Sequence, residues 1–144
     1  MPKGRRNARR QAVFILYQQA LLGLTPEAAL GRIAETELPS YTTELILGVA
    51  RKRAEIDQIL ESRLKEWSLD RLGILERSVL RVATYELLWR PDVPAAVAIN
   101  EAVEIAKRFC SEEAGALVNG VLGRLVQEGL VADRLATGEK EKNK

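Results

Sequence analysis

Five basic residues stand within the first ten positions of the chain, and no acidic residue lies among them. Guanidinium groups donate forked hydrogen bonds to phosphate and stack on exposed bases. A concentrated basic segment also attracts a polyanion through counterion release and the local field, whatever the average charge of the chain. The sequence therefore predicts a nucleic-acid site whose candidates are Lys3, Arg5, Arg6, Arg9 and Arg10.

The basic segment is predicted to begin a helix, which would give its side chains defined directions. At about 100° per residue, Arg6, Arg10 and Tyr17 share one face, and Arg5 and Arg9 lie on an adjoining one. Arginines in the first turn repel the positive end of the helix dipole, and such local violations are expected where a function requires them. Two interpretations stay open, a polyanion site or a frayed, solvated N-terminus, and Tyr17 is either a stacking surface or half-buried core.

Residue types suited to catalysis or metal binding are scarce. The chain has no histidine and a single cysteine, Cys110, so zinc sites and Cys–His pairs lack their members. No GxxxxGK[ST] loop is present to hold a phosphate. The carboxylates are interpreted as surface ion pairs, Glu86 with Arg90 and Glu104 with Arg108, and Cys110 as a small packed hydrophobe. We therefore expect no enzyme activity, no cofactor and no metal.

Composition places the chain among folded proteins that act in a reducing compartment. It has 144 residues, of which 47% are hydrophobic, enough for one domain with a real core. The formal net charge is +2 and the five N-terminal basic residues supply +5, so the rest of the chain carries −3. The lone cysteine, the absence of a signal peptide pattern and the lack of a membrane-length apolar segment favour a soluble, cytoplasmic protein.

Helical punctuation recurs along the chain, and alternating strand patterns do not, so an all-α fold is predicted. Predicted caps and ends include Gly23 after the first helix, Thr25 before the second, Ser40 before the third, Ser111 before the sixth and Gly129 after it. The predicted helices run over about 5–22, 25–37, 40–64, 70–89, 97–110 and 111–129. Residues 1–132 would form one domain, and 133–144 a mobile charged tail.

Three segments together resemble the NusB family of bacterial transcription antitermination factors. They are RRNARRQAVFILYQ, DRLGILERSVLRVATYEL, and DVPAAVAINEAVEIAKRF followed by LVNGVL. The resemblance covers residues 5–18 and 70–125 well and residues 24–66 poorly. It implies an all-helical bundle of two three-helix halves.

The resemblance also implies a function. The arginine-rich helix would bind the boxA element of RNA, together with the small-subunit ribosomal protein that acts as NusE. The pair would join the RNA polymerase antitermination complex during ribosomal RNA transcription, and a homodimer is allowed as well. By matching positions, the RNA contacts are Arg5, Arg6, Arg9, Arg10 and Tyr17, and the partner contacts are Tyr85 and Glu86. Lys3, Asn119 and Arg124 are further RNA candidates.

The chain departs from the family pattern at two positions. Leu117 stands where many relatives have Phe, which indicates a change in packing, and Gly123 replaces an acid beside Arg124, which would reduce repulsion of phosphate. Asn119 and Gly120 would lie at the RNA-facing rim, or would serve an interhelical hydrogen bond and close packing.

Two other functions stay open. One is the NusB-like domain that precedes a catalytic domain in some ribosomal RNA cytosine methyltransferases, for which 144 residues leave no room. The other is a helical protein-binding scaffold without an RNA function.

Overall fold

The computed structural model describes residues 3–25, 27–28, 31, 38–64 and 68–130. These residues form α-helices and one short 3₁₀ helix and contain no strand, which confirms the all-α fold. The elements are α1 (Lys3–Leu22), α2 (Ser40–Arg63), a 3₁₀ helix (Leu69–Arg71), α3 (Ile74–Trp89), α4 (Ala95–Phe109) and α5 (Glu112–Gln127). The tail predicted over 133–144 and most of the helix predicted after Thr25 lie outside the described residues.

The predicted helix ends are confirmed where a glycine or a capping hydroxyl marks them. Gly23 follows α1 with φ +67°, and Gly129 follows α5 with φ +81°, a left-handed conformation that favours glycine. The Ser111 hydroxyl accepts a hydrogen bond from the Ala114 amide at 3.0 Å and so caps α5. Sequence punctuation therefore sets the limits of the helices that carry the candidate residues.

Two predicted helix starts are wrong. Ser40 is the first residue of α2 and makes no capping hydrogen bond, because Pro39 occupies the cap position. The fourth predicted helix begins at Ile74 rather than Asp70. Residues 69–71 form a separate 3₁₀ turn, since the Leu69 amide donates to the Glu61 carboxylate at 2.9 Å and the Leu69 side chain is buried.

The α3 helix is the centre of the molecule. It packs against α1 and α2 from the first half of the chain and against α4 and α5 from the second. Every side chain from residue 78 to residue 88 is buried, so a single hydrophobic cluster runs through both halves. Gly48 lets α2 and α3 pack closely, because a Cβ built there would lie 2.2 Å from Cζ of Tyr85.

Helix directions bring the start of α1 to the end of α3. The Thr42 hydroxyl donates to the Ala8 carbonyl at 3.0 Å, so α1 and α2 start at the same end of the bundle. Arg9, early in α1, contacts Glu86, late in α3, so these two helices run in opposite directions. The arginine-rich segment therefore lies against the end of α3 and the turn that leads into α4.

Candidate nucleic-acid interface

The arginines of α1 divide into an inner and an outer group. Arg9 points inward and is only 2% exposed. Its Nε and Nη2 atoms donate to the two carboxylate oxygens of Glu86 at 2.7 and 2.8 Å, and the Tyr41 hydroxyl donates to the same carboxylate. The sequence predicted Arg9 as an RNA contact. The structure shows it instead as half of a buried ion pair that joins α1 to α3.

The charges within this buried group shift the pKa values of Arg9 and Tyr41. Burial lowers the pKa of Arg9, but the hydrogen bond and charge of Glu86 outweigh it and raise that pKa above its usual value. Burial and the Glu86 carboxylate together raise the pKa of Tyr41. The Arg9 guanidinium and the Tyr41 hydroxyl thus both donate to the Glu86 carboxylate, while Arg9 Nη1 is buried without a hydrogen-bond partner among the described residues.

The two predicted partner contacts, Tyr85 and Glu86, are buried as well. Glu86 is 0% exposed and Tyr85 is 6% exposed. The Tyr85 ring lies against Gly48 and stacks on Trp89 at 6.0 Å. Neither side chain can reach a second protein without opening the core. The predicted side-chain pair between Glu86 and Arg90 is replaced by the pair with Arg9.

Arg5 belongs to a surface cluster beside the buried pair. Its guanidinium lies 4.4 Å from the centre of the Tyr41 ring, and Arg90 lies 5.2 Å from the same ring. Both arginines bind Asp92 at 3.0 Å. Hydrogen bonds from Arg90 and then from Arg5 lower the pKa of Asp92 to about 2. A cavity of about 500 Å³ opens next to Arg5, Tyr41, Glu44 and Arg90, so Arg5 is held in place but still reaches solvent.

Arg6 and Arg10 form the outer group. The Arg6 side chain is 62% exposed and binds Glu101 of α4 at 2.9 Å. Arg10 is half-buried, and its Nε atom has no hydrogen-bond partner among the described residues. Tyr17 is half-buried two turns further along α1, and the Lys3 side chain lies outside the described residues. Of the predicted basic contacts, Arg6 is therefore mostly exposed, and Arg10, one helical turn further along α1, has part of its guanidinium buried.

The predicted contacts of α5 lie apart from this outer group. Arg124 Nη1 donates to the backbone carbonyl of Arg63 at 2.6 Å, at the last turn of α2. At 1.5 Å per residue, that turn is about 30 Å along the helix from Tyr41, on which Arg5 stacks. Arg124 therefore does not join the arginines of α1. Asn119 is exposed, and a Cβ at Gly120 would meet nothing within 4 Å, so Gly120 does not serve close packing.

Sequence reasoning missed an exposed aromatic residue at the end of α4. The apolar spacing of the fifth predicted helix places Phe109 in its buried stripe, and Cys110 was predicted as a small packed hydrophobe, yet Phe109 is 42% exposed and Cys110 is exposed as well. The stripe that α4 buries ends at Ala106, three residues earlier. The Phe109 ring contacts Phe14 of α1 with centres 5.0 Å apart and planes at 90°. An Arg–Phe pair at a helix end was the available signal, but helical periodicity alone assigns Phe109 to the core.

Metal and membrane sites have no support in the described part of the chain. No group of three or more Asp, Glu or Cys side chains there could hold a metal ion. None of the described helices has the length and apolar character needed to cross a bilayer.

Comparison with known proteins agrees with this architecture. The model of the NusB family matches residues 6–127. The transcription antitermination protein NusB of Rubrobacter xylanophilus is 44% identical over 120 residues, which cover 82% of this chain and 86% of the relative. That of Saccharopolyspora erythraea is 43% identical over 136 residues, with 91% and 90% coverage.

Solved structures give the same result. NusB of T. maritima superposes with a TM-score of 0.82 at 35% identity, covering 94% of this chain and 99% of that one. A crystal structure of the antitermination factors NusB and NusE in complex with dsRNA contains a chain that superposes with a TM-score of 0.78 at 30% identity, covering 89% and 99%. The fold, the family model and the relatives agree, and the chain belongs to the NusB family.

Proposed function

We propose that this chain is a transcription antitermination factor that binds boxA-type RNA together with NusE during ribosomal RNA transcription. Its most similar relatives carry the name of such a factor, and a solved relative is bound to NusE and dsRNA. The observation that carries the proposal is the outer group of α1, in which the Arg6 side chain is 62% exposed and Arg10 is half-buried, on a helix that the buried pair of Arg9 with Glu86 holds to the core.

Two features of the geometry suit phosphate binding. The buried pair of Arg9 with Glu86 fixes α1 in rotation and position, so the outer arginines are held in one direction before RNA arrives. The Arg6 side chain is 62% exposed, whereas its partner Glu101 is only 13% exposed, and the hydrogen bond between them uses the Nε atom of Arg6. The exposed part of the Arg6 guanidinium can therefore donate to a phosphate group without breaking the contact with Glu101.

The chain acts by binding and has no catalytic step of its own. This part of the proposal is supported by the absence of histidine from the sequence and by the family to which the chain belongs. A positioned nucleophile and base would be needed for turnover of RNA or nucleotides. Turnover by the purified protein that one point substitution abolishes would contradict it.

Assembly extends the proposal to larger partners. The factor would act in the cytoplasm within the RNA polymerase antitermination complex. Because Tyr85 and Glu86 are buried, we propose that other residues form the surface for NusE. Asn119, Tyr17 and Arg5 stay candidates for further RNA contacts, since each reaches solvent at least in part.

A titration with labelled RNA tests the proposal directly. The protein is added to boxA-type RNA and to a scrambled RNA of equal length, with and without purified NusE, at several salt concentrations. We expect tighter binding to the boxA-type RNA, a further gain with NusE, and a loss of affinity as salt rises. Equal binding to both RNAs and no effect of NusE would contradict the proposal. Binding to NusE alone would favour a protein scaffold.

A further inference from the structure

An aromatic ring is exposed where α4 ends against α1. Phe109, the last residue of α4, is 42% exposed although it is one of the larger apolar side chains of the protein. On one side it meets Phe14 of α1 with the ring planes at 90°. The two rings are therefore not stacked on each other, and part of the Phe109 ring is open to solvent.

Cations surround this ring. The Arg108 guanidinium lies 5.4 Å from the centre of the Phe109 ring. Arg10 lies one helical turn before Phe14 on α1, and its Nε atom is buried without a hydrogen-bond partner among the described residues. The carboxylate of Glu101, two turns earlier on α4, is already paired with Arg6. The open ring thus has one guanidinium against it, that of Arg108, and Arg10 lies one helical turn from its neighbour Phe14.

Such a combination fits a nucleic acid better than a protein surface. Protein interfaces need an apolar patch of several hundred Å² or more, and one partly open ring with flanking cations does not supply it. Single-stranded nucleic acid binds through cations that follow its phosphates and aromatic rings on which its bases stack. Both elements occur here on neighbouring helices.

We propose that Phe109 is a stacking platform for one unpaired base of an RNA whose phosphates lie along Arg6 and Arg10. The inference rests on the proposed RNA-binding function and assigns a further residue to it. With Phe109, α4 would form part of the RNA site together with α1. Arg108 then neutralises the phosphate next to the stacked base.

The test separates stacking from charge. Phe109→Leu keeps an apolar side chain next to Phe14 but removes the π face, and Phe109→Tyr keeps that face. Base stacking on an aromatic side chain accounts for about a fivefold to 150-fold change in affinity. We expect Phe109→Leu to weaken RNA binding within that range, with the salt dependence unchanged, because no phosphate contact is lost. Phe109→Tyr should bind as the wild type does.

A fluorescent base analogue gives a second readout with the unchanged protein. RNA in which successive bases are replaced by 2-aminopurine should show quenching at one position, and Phe109→Leu should remove it. The matched control is Leu22→Ala, which also shortens an exposed apolar side chain, 51% exposed, at the far end of α1. It should change neither affinity nor quenching. Thermal unfolding confirms that each variant is folded.

Each outcome bears on one of the two claims. If wild-type protein binds RNA and Arg6→Ala/Arg10→Ala weakens it while Phe109→Leu does not, the platform is refuted and the proposed function stands. If Phe109→Leu reduces only the gain from NusE, the ring faces a protein partner and the inference is wrong. If wild-type protein binds no RNA, the proposed function itself fails.

Discussion

Both the inner and the outer side of α1 carry arginine, but the inner arginine is buried and an outer one is exposed. Arg9 is 2% exposed and bound by two hydrogen bonds to Glu86, whereas the side chain of Arg6 is 62% exposed. Arg9 and Arg10 are adjacent in sequence and lie about 100° apart around the helix. Position on the helix, and not residue type, decides which arginine holds the fold and which remains free for a ligand.

Burying Arg9 or Glu86 alone would be unfavourable in free energy, and the ion pair between them offsets that cost. Transfer of an isolated guanidinium or carboxylate from water to a protein interior is strongly unfavourable, and a well-bonded pair recovers most of it. The pair links residues that are 77 positions apart, so it forms only when α1 and α3 are correctly docked. It therefore sets the orientation of the outer arginines.

The largest expected effect comes from reversing the inner charge. Glu86→Lys leaves two buried cations facing each other and should reduce the free energy of unfolding by about 3–5 kcal/mol or more. Urea denaturation measures it, with the exposed Glu104→Lys as control, for which a change within about 0.5 kcal/mol is expected. Equal stability of the two variants would show that the buried pair is not formed.

An apolar replacement of the whole inner group sharpens the comparison. The triple variant Arg9→Met, Glu86→Leu and Tyr41→Phe removes every charged or hydroxyl group of the inner cluster together. Its stability should recover to near that of the wild type, because well-packed apolar groups can replace a buried ion pair. Its RNA affinity should be retained, since Arg9 does not contact RNA. Loss of RNA binding by a folded triple variant would return Arg9 to the RNA site.

A smaller effect is expected from overpacking the core next to the inner pair. Gly48→Ala places a Cβ 2.2 Å from the Tyr85 ring and should cost about 1–3 kcal/mol of stability. Gly120→Ala is the matched control, because its Cβ would meet nothing within 4 Å. Alanine there should stabilise α5 by up to about 1 kcal/mol. Equal effects of the two substitutions would contradict the close contact at Gly48.

Part of this structure could be predicted from the sequence because it depends on neighbours in sequence. Gly23, Ser111 and Gly129 act within one helical turn, and the helix ends that they mark are confirmed. The burial of Glu86 depends instead on Arg9, and no local rule connects them. A lone acid within an otherwise apolar stretch of α3 was the signal of a buried partner, but the spacing suggested Arg90 instead.

The candidate site shows the same limit. Arginine-rich composition indicated a polyanion site, but only the fold shows that Arg9 is withdrawn from it. Phe109 was assigned to the core because it continues the period of α4, and helical periodicity does not reveal where the neighbouring helices stop covering a stripe. Resemblance suggested Tyr85 and Glu86 as partner contacts, and burial excludes both.

The smallest effect concerns the surface cluster at Asp92. Its pKa is lowered to about 2 in the folded chain from a usual value of 3.8, so its contribution to stability is present above about pH 4 and is lost as pH falls towards 2. The side chain is 48% exposed, so solvent screening keeps this contribution below about 1 kcal/mol. Asp92→Asn should flatten the pH dependence of unfolding in that window.

The most direct test of the division within α1 is the salt dependence of RNA binding by Arg6→Ala/Arg10→Ala. Each phosphate contact to single-stranded nucleic acid contributes about 0.7 to the slope of log affinity against log salt concentration. We predict that the slope falls by about 1.4, with helix content unchanged. The control variant Arg51→Ala/Lys52→Ala removes the same charge from α2 and should keep the slope. An unchanged slope and affinity in the α1 variant would contradict the account, because its outer arginines would then not contact RNA.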